Sequence, residues 1–82
     1  MTYQEREISK NQLEKLLQTL DLDEGIRIEN KSNIIFINRS AKRYCVNISS
    51  KGSEEFFYHT SVGEVLDFLN EKMDQASKIF SY

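Results

Sequence analysis

The chain has 82 residues, 39% of them hydrophobic and 29% charged, with eleven Lys or Arg against thirteen Asp or Glu and a formal charge of -2. That length predicts a single small domain with little core to spare, and one cysteine, Cys45, excludes a disulfide framework. Cys45 and the one histidine, His59, also fall short of a zinc ligand set, so the expectation is a protein without metal or cofactor.

Met1 to Arg6 lack the cationic and then apolar order of a secretion signal. The first element is a helix over about 10–20. Ser9 stands at its N-cap with Gln12 three residues on, the spacing of a capping box, while Ile8 and Leu13 occupy the staple positions. Leu13, Leu16, Leu17 and Leu20 then share one helical face. Asp21 to Glu24 put acids at the negative helix end and Gly25 follows, which stops the helix. Asp21, Asp23 and Glu24 lack the further oxygen ligands of a calcium loop and read as a solvated helix end.

From Gly25 the hydrophobic period changes to two. Ile26 and Ile28, Ile34 to Asn38, Tyr44 to Ile48 and Glu55 to His59 predict an antiparallel meander of three to four strands over about 25–59, joined by polar turns. A two-residue loop at Lys31-Ser32 sets Ile28 opposite Ile35 and Ile26 opposite Ile37. A four-residue loop over Arg39 to Lys42 sets Ile37 beside Tyr44 and Ile35 beside Val46. A three-residue loop over Lys51 to Ser53 sets Val46 beside Tyr58 and Ile48 beside Phe56. These registers predict an outer sheet face carrying Arg27, Phe36, Cys45 and His59 in one row and Glu29, Ile34, Asn47 and Phe57 in the next. The run Ile34-Ile35-Phe36-Ile37 is apolar on both faces whatever the register, and it is far shorter than the roughly 20 residues of a membrane span.

Ser61 and Glu64 announce a second helix over about 62–78, with Val62, Val65, Leu66, Leu69, Met73 and Ala76 along one stripe. Asp67, Glu71 and Asp74 lie largely off that stripe. Ile79, Phe80 and Tyr82 would overhang the sheet and require a partner or a fold-back. The whole is an α+β two-layer domain in the order α-β-β-β-β-α with both helices packed on one face of the sheet.

Charge follows these layers. Residues 1–24 carry -3, residues 25–53 carry +5 and residues 54–82 carry -4, a basic sheet between acidic ends. Cys45 opposite His59 has the outline of a nucleophile and its base, but no orienting carboxylate or oxyanion hole accompanies it, so an enzyme is not expected. Gly25, Gly52 and Gly63 are isolated and form no phosphate loop.

The expected function is a non-enzymatic protein-binding module, a small bacterial or phage accessory protein acting as a homodimer or as a stoichiometric partner or inhibitor of a larger protein. Ile34, Phe36 and Phe57 would supply apolar contact, with Arg27, Arg43 and His59 as its rim. One alternative is binding of single-stranded nucleic acid through Lys31, Arg39, Lys42, Arg43, Tyr44 and Lys51, opposed by a pI near 5.4. Another is a phage-encoded inhibitor of a host defence nuclease. The expected compartment is the cytoplasm, that of the host if phage-encoded.

Overall fold

The computed structural model describes residues 6–22, 24–73 and 77–82. Ser9 begins the first helix, α1 (Lys10–Thr19), where the Gln12 side-chain oxygen accepts from the Ser9 N–H at 3.1 Å and so satisfies one donor of the cap. Before it lies a three-residue strand, β1 (Arg6–Ile8). Then follow β2 (Gly25–Glu29), β3 (Asn33–Arg39), β4 (Tyr44–Ser50) and β5 (Ser53–His59). The second helix, α2 (Val62–Lys72), precedes a last strand, β6 (Lys78–Ser81).

The result is an α+β fold with two helices and a six-stranded antiparallel sheet in the order β1-β6-β2-β3-β4-β5. Two strands join the expected three or four. The second helix ends at Lys72 rather than near 78, and Met73 is already extended at φ -84° and ψ 146°. The expected helical positions Asp74 and Ala76 lie outside the described residues, as does Asp23 of the acidic turn. Ile79 and Phe80 do not overhang: β6 folds back between β1 and β2, burying Ile79 beside Ile28 and Ile8. A β-branched and aromatic tail that satisfies its backbone on two neighbours gains more than a helix end projecting into water.

The registers decide which side chains meet. Ile26 opposes Ile37 and Ile28 opposes Ile35, as the Lys31-Ser32 loop requires. Between β3 and β4 the reversal is centred one residue later than expected. Arg39 faces Tyr44, Ile37 faces Val46 and Ile35 faces Ile48, and the Ser40 N–H closes the turn on the Arg43 carbonyl at 2.8 Å. That shift moves the pairing by two positions, which preserves the faces.

The β4–β5 hairpin is different. Its loop is Lys51-Gly52, two residues and not three, with Gly52 at φ 83°, the positive value that a type II reversal asks of its second central residue and that glycine meets without strain. Ser53 is therefore paired with Ser50, and the whole of β5 is rotated onto the opposite set of side chains. Val46 lies beside Phe57, not Tyr58, and Ile48 beside Glu55, not Phe56.

One buried cluster holds the fold. Leu13, Leu17 and Leu20 of the first helix and its exit, and Val65 and Leu69 of α2, join Ile26, Ile28, Ile35, Ile37, Tyr44, Val46, Ile48 and Ile79 of the sheet. Nine of these side chains, among them Leu17, Ile35 and Leu69, are less than 2% exposed, and each contributes roughly 1.5–3 kcal/mol by leaving water. The Tyr44 hydroxyl donates to the Leu17 carbonyl at 2.8 Å, and an Arg39 guanidinium nitrogen donates to the Leu20 carbonyl at 2.9 Å. These bonds supply partners to carbonyls at the α1 end, where the helix itself offers none.

Candidate functional site

Alternation places the remaining strand residues on the outer face, away from this cluster. One row across the sheet reads Glu7, Phe80, Arg27, Phe36, Asn47, Phe56. The row toward the β2–β3 turn reads Lys78, Glu29, Ile34, Ser49, Glu54, and the row on the other side reads Gly25, Asn38, Cys45, Tyr58. Phe56 is 57% exposed, Tyr58 54% and Ile34 36%, while Phe36 and Phe80 are half-buried. Along the middle row, aromatic groups on β6, β3 and β5 alternate with Arg27 on β2 and Asn47 on β4.

Cations are held against these rings. The Arg27 guanidinium lies 4.7 Å from the Phe80 ring centre and 3.2 Å from the Glu29 carboxylate. Arg43 lies 4.2 Å from the ring centre of Tyr58. Both contacts orient a charge over an aromatic surface, where it keeps hydrogen-bonding capacity at its edges. Gly25 is needed here for close approach: an added Cβ would fall 2.6 Å from the Tyr82 ring and 2.8 Å from the Asn38 side-chain oxygen. The terminal Tyr82 is seated on that glycine, its backbone exchanging bonds of 2.9 and 3.0 Å with Gly25.

Of the expected contact residues, Ile34, Phe36 and Arg27 share this face and Arg43 stands at its corner. Phe57 and His59 do not. The two-residue loop turns both toward α2, where Phe68 meets the Phe57 ring at 4.7 Å and the His59 ring at 5.2 Å. Their places are taken by Phe56 and Tyr58, whose exposure follows from reading Lys51-Gly52 as the whole loop. Phe80 belongs to the face as well, through a strand that the apolar tail concealed within a helical stripe.

The same rotation separates Cys45 from His59. Cys45 pairs with Tyr58 and His59 with Tyr44, so thiol and imidazole point to opposite sides of the sheet and cannot form a nucleophile–base pair. The His59 Nε2 is buried and has no hydrogen-bond partner among the described residues. Nearby, the Thr60 backbone N–H and hydroxyl donate to Glu64 at 2.9 and 3.1 Å, which holds that carboxyl below its usual range. Both bonds belong to the cap of α2, where the Ser61 hydroxyl accepts from the Glu64 N–H at 3.2 Å.

The residues of the nucleic-acid alternative are dispersed. Tyr44 is 6% exposed and cannot stack on a base, and Arg39 is engaged with Leu20 and with the Tyr44 ring at 5.5 Å. Lys31 and Lys51 line a shallow depression at one end of the sheet, and Lys42 and Arg43 belong to the turn at the other. Glu7, Glu29 and Glu54 lie on the face between or beside them.

Among the described residues no three His, Cys, Asp or Glu side chains cluster as a metal site, and no helix is long and apolar enough to cross a membrane. The chain matches no protein-family model, no curated protein and no solved structure.

Proposed function

We propose that this protein is a non-enzymatic binding module that engages another protein chain through the outer face of its sheet, as a homodimer or as the stoichiometric partner or inhibitor of a larger protein. One observation carries the reading: Phe56 and Tyr58 stand more than half exposed on the face opposite the buried cluster, with Phe36 on the same face beyond Asn47 of β4. Exposed aromatic rings cost a chain solubility unless a partner covers them, and aromatic residues with arginine form the energetic centres of protein interfaces. In this reading both helices cover the buried face, Phe36, Phe56, Tyr58 and Phe80 provide apolar contact, and Arg27 and Arg43 orient the partner.

Protein is favoured over nucleic acid as the ligand. Three carboxylates share the outer face with Arg27, and the lysines divide between two opposite ends, so no continuous basic track follows the rings. The test is capture of partners from the native host lysate by the wild type and by Phe36→Glu and Tyr58→Glu. A partner captured by the wild type and by a Lys31→Glu control, and lost by both face variants, supports the reading. The reading requires loss with Phe36→Glu and Tyr58→Glu and retention with Lys31→Glu. Capture unaffected by both face variants, or binding of single-stranded DNA or RNA at low salt that they abolish, contradicts it.

A further inference from the structure

We infer that a second copy of this chain pairs antiparallel along β5, related by a two-fold axis through Phe56, so that the two sheets become one and their outer aromatic faces run together. The inference deepens the reading above and rests on it, because it names the partner at the β5 margin of that same face.

Sheet edges invite strand addition unless something blunts them. The two edges here differ in that respect. Among the described residues, β1 offers three at one edge; at the other, β5 offers seven, as many as its interior neighbours β3 and β4. Its pairing with β4 runs unbroken from Ser53 to His59, without a bulge, and it contains neither proline nor lysine. The usual devices against edge pairing are therefore missing from β5, apart from its two glutamates.

The hairpin also decides which backbone groups are open. A two-residue loop makes its flanking residues, Ser50 and Ser53, a hydrogen-bonded pair, and bonded pairs recur at every second position. Ser53, Glu55, Phe57 and His59 thus direct their N–H and C=O groups to β4, while Glu54, Phe56 and Tyr58 direct theirs to the open edge. The residues whose backbone is available are the ones whose side chains lie on the outer face.

Self-complementarity selects a second copy as the occupant. Phe56 is the midpoint of β5, so a two-fold axis there is the register in which all seven residues find a partner. It sets Phe56 against Phe56 and Glu54 against Tyr58 of the second copy. That Tyr58 ring carries Arg43 at 4.2 Å, so each Glu54 meets an arginine, twice over, flanking the central aromatic pair. On the buried side Glu55 falls opposite Phe57 and lies diagonal to both His59 and Glu55 of the second copy, so the outer pairs provide the charge match. An axis one residue earlier, at Glu55, would instead place two carboxylates directly opposite each other, which disfavours it.

The experiment combines solution mass with site-directed cross-linking in a Cys45→Ser background. Residues facing themselves across a bonded antiparallel pair have Cα atoms about 5.5 Å apart, within the roughly 4.4–6.8 Å of a disulfide. Light scattering at tens of micromolar should give twice the 9.6 kDa of one chain. Phe56→Cys should form a disulfide-linked dimer on mild oxidation. Glu54→Cys and Tyr58→Cys, each unlinked alone, should link when mixed, which provides an independent register test should Phe56→Cys fold poorly. Phe36→Cys should stay unlinked. A monomeric mass with no linkage at Phe56 overturns the inference and leaves capture of a different protein to decide the face reading. Linkage through Phe36→Cys without Phe56→Cys, a face-to-face dimer, also overturns it while upholding that reading. Loss of face-dependent capture alongside edge cross-linking sinks the face reading alone.

Discussion

Strand β3 presents the same kind of residue to two different environments. Ile35 and Ile37 are fully buried in one cluster with Leu13, Leu17 and Leu69, whereas Ile34 and Phe36, their immediate neighbours in the chain, lie on a face with no second layer among the described residues. Composition cannot distinguish the two sets; only position can. The difference teaches that the apolar content of this small chain is divided between holding the fold and meeting something outside it, and that substitutions should separate the two roles cleanly.

Four substitutions would break or sharpen that division. The largest effect belongs to Ile37→Ala, which removes a wholly buried side chain from the middle of the cluster and should cost about 2–5 kcal/mol in denaturant unfolding. A cost under about 1 kcal/mol would place the core elsewhere. Next comes Gly25→Ala, at about 1–3 kcal/mol, because its methyl group must displace the Tyr82 ring from 2.6 Å. If this arises from the ring, Tyr82→Ala in the same chain should recover most of the loss. Tyr44→Phe deletes the bond to the Leu17 carbonyl and leaves that acceptor buried, so about 1–2 kcal/mol should be lost with secondary structure intact by circular dichroism. On the outer face, Phe36→Ser should cost no more than about 1 kcal/mol, the smallest loss of the four, although it removes a larger side chain than any of the others.

The smallest effect is one of pH. Thr60 donates twice to the Glu64 carboxylate and lowers its pKa in the folded state, so the associated stability is present above the unfolded-state value and is lost as pH falls through the folded one. Glu64→Gln should flatten the acid limb of the stability–pH curve, and an unchanged limb would show that other carboxylates dominate it.

Much of the fold was legible because its signals were local. The Ser9 and Ser61 caps, the leucine stripe from Leu13 to Leu20 and the alternation of Ile26, Ile28, Ile35 and Ile37 each depend on spacings of a few residues, and each reappears in the structure. What escaped was set by competition or by a single loop length. Ile79 and Phe80 continue the helical stripe of α2 as well as they fill a strand, and the vacancy between β1 and β2 decided between them, a non-local term that periodicity does not contain. Arg6 to Ile8 are too few to declare a strand without knowing that β6 lies beside them. The site was half visible for the same reason. Ile34, Phe36 and Arg27 were placed correctly because β2 and β3 pair through an unambiguous turn. Phe57 and His59 were exchanged for Phe56 and Tyr58 because one residue of loop length inverts a strand, and Gly52, which takes φ 83°, was the residue that could have revealed it.

The division between core and outer face therefore turns on the facing of β5, and adjacent phenylalanines test it. Phe56→Ser and Phe57→Ser should be compared by unfolding of the diluted protein, where association adds nothing to stability, and by light scattering of the concentrated protein. Phe56→Ser should unfold with the wild type and lose association. Phe57→Ser, deprived of its contact with Phe68 at 4.7 Å, should unfold markedly earlier. The reverse assignment, with Phe56→Ser destabilised and Phe57→Ser unaffected in stability but impaired in association, would contradict it.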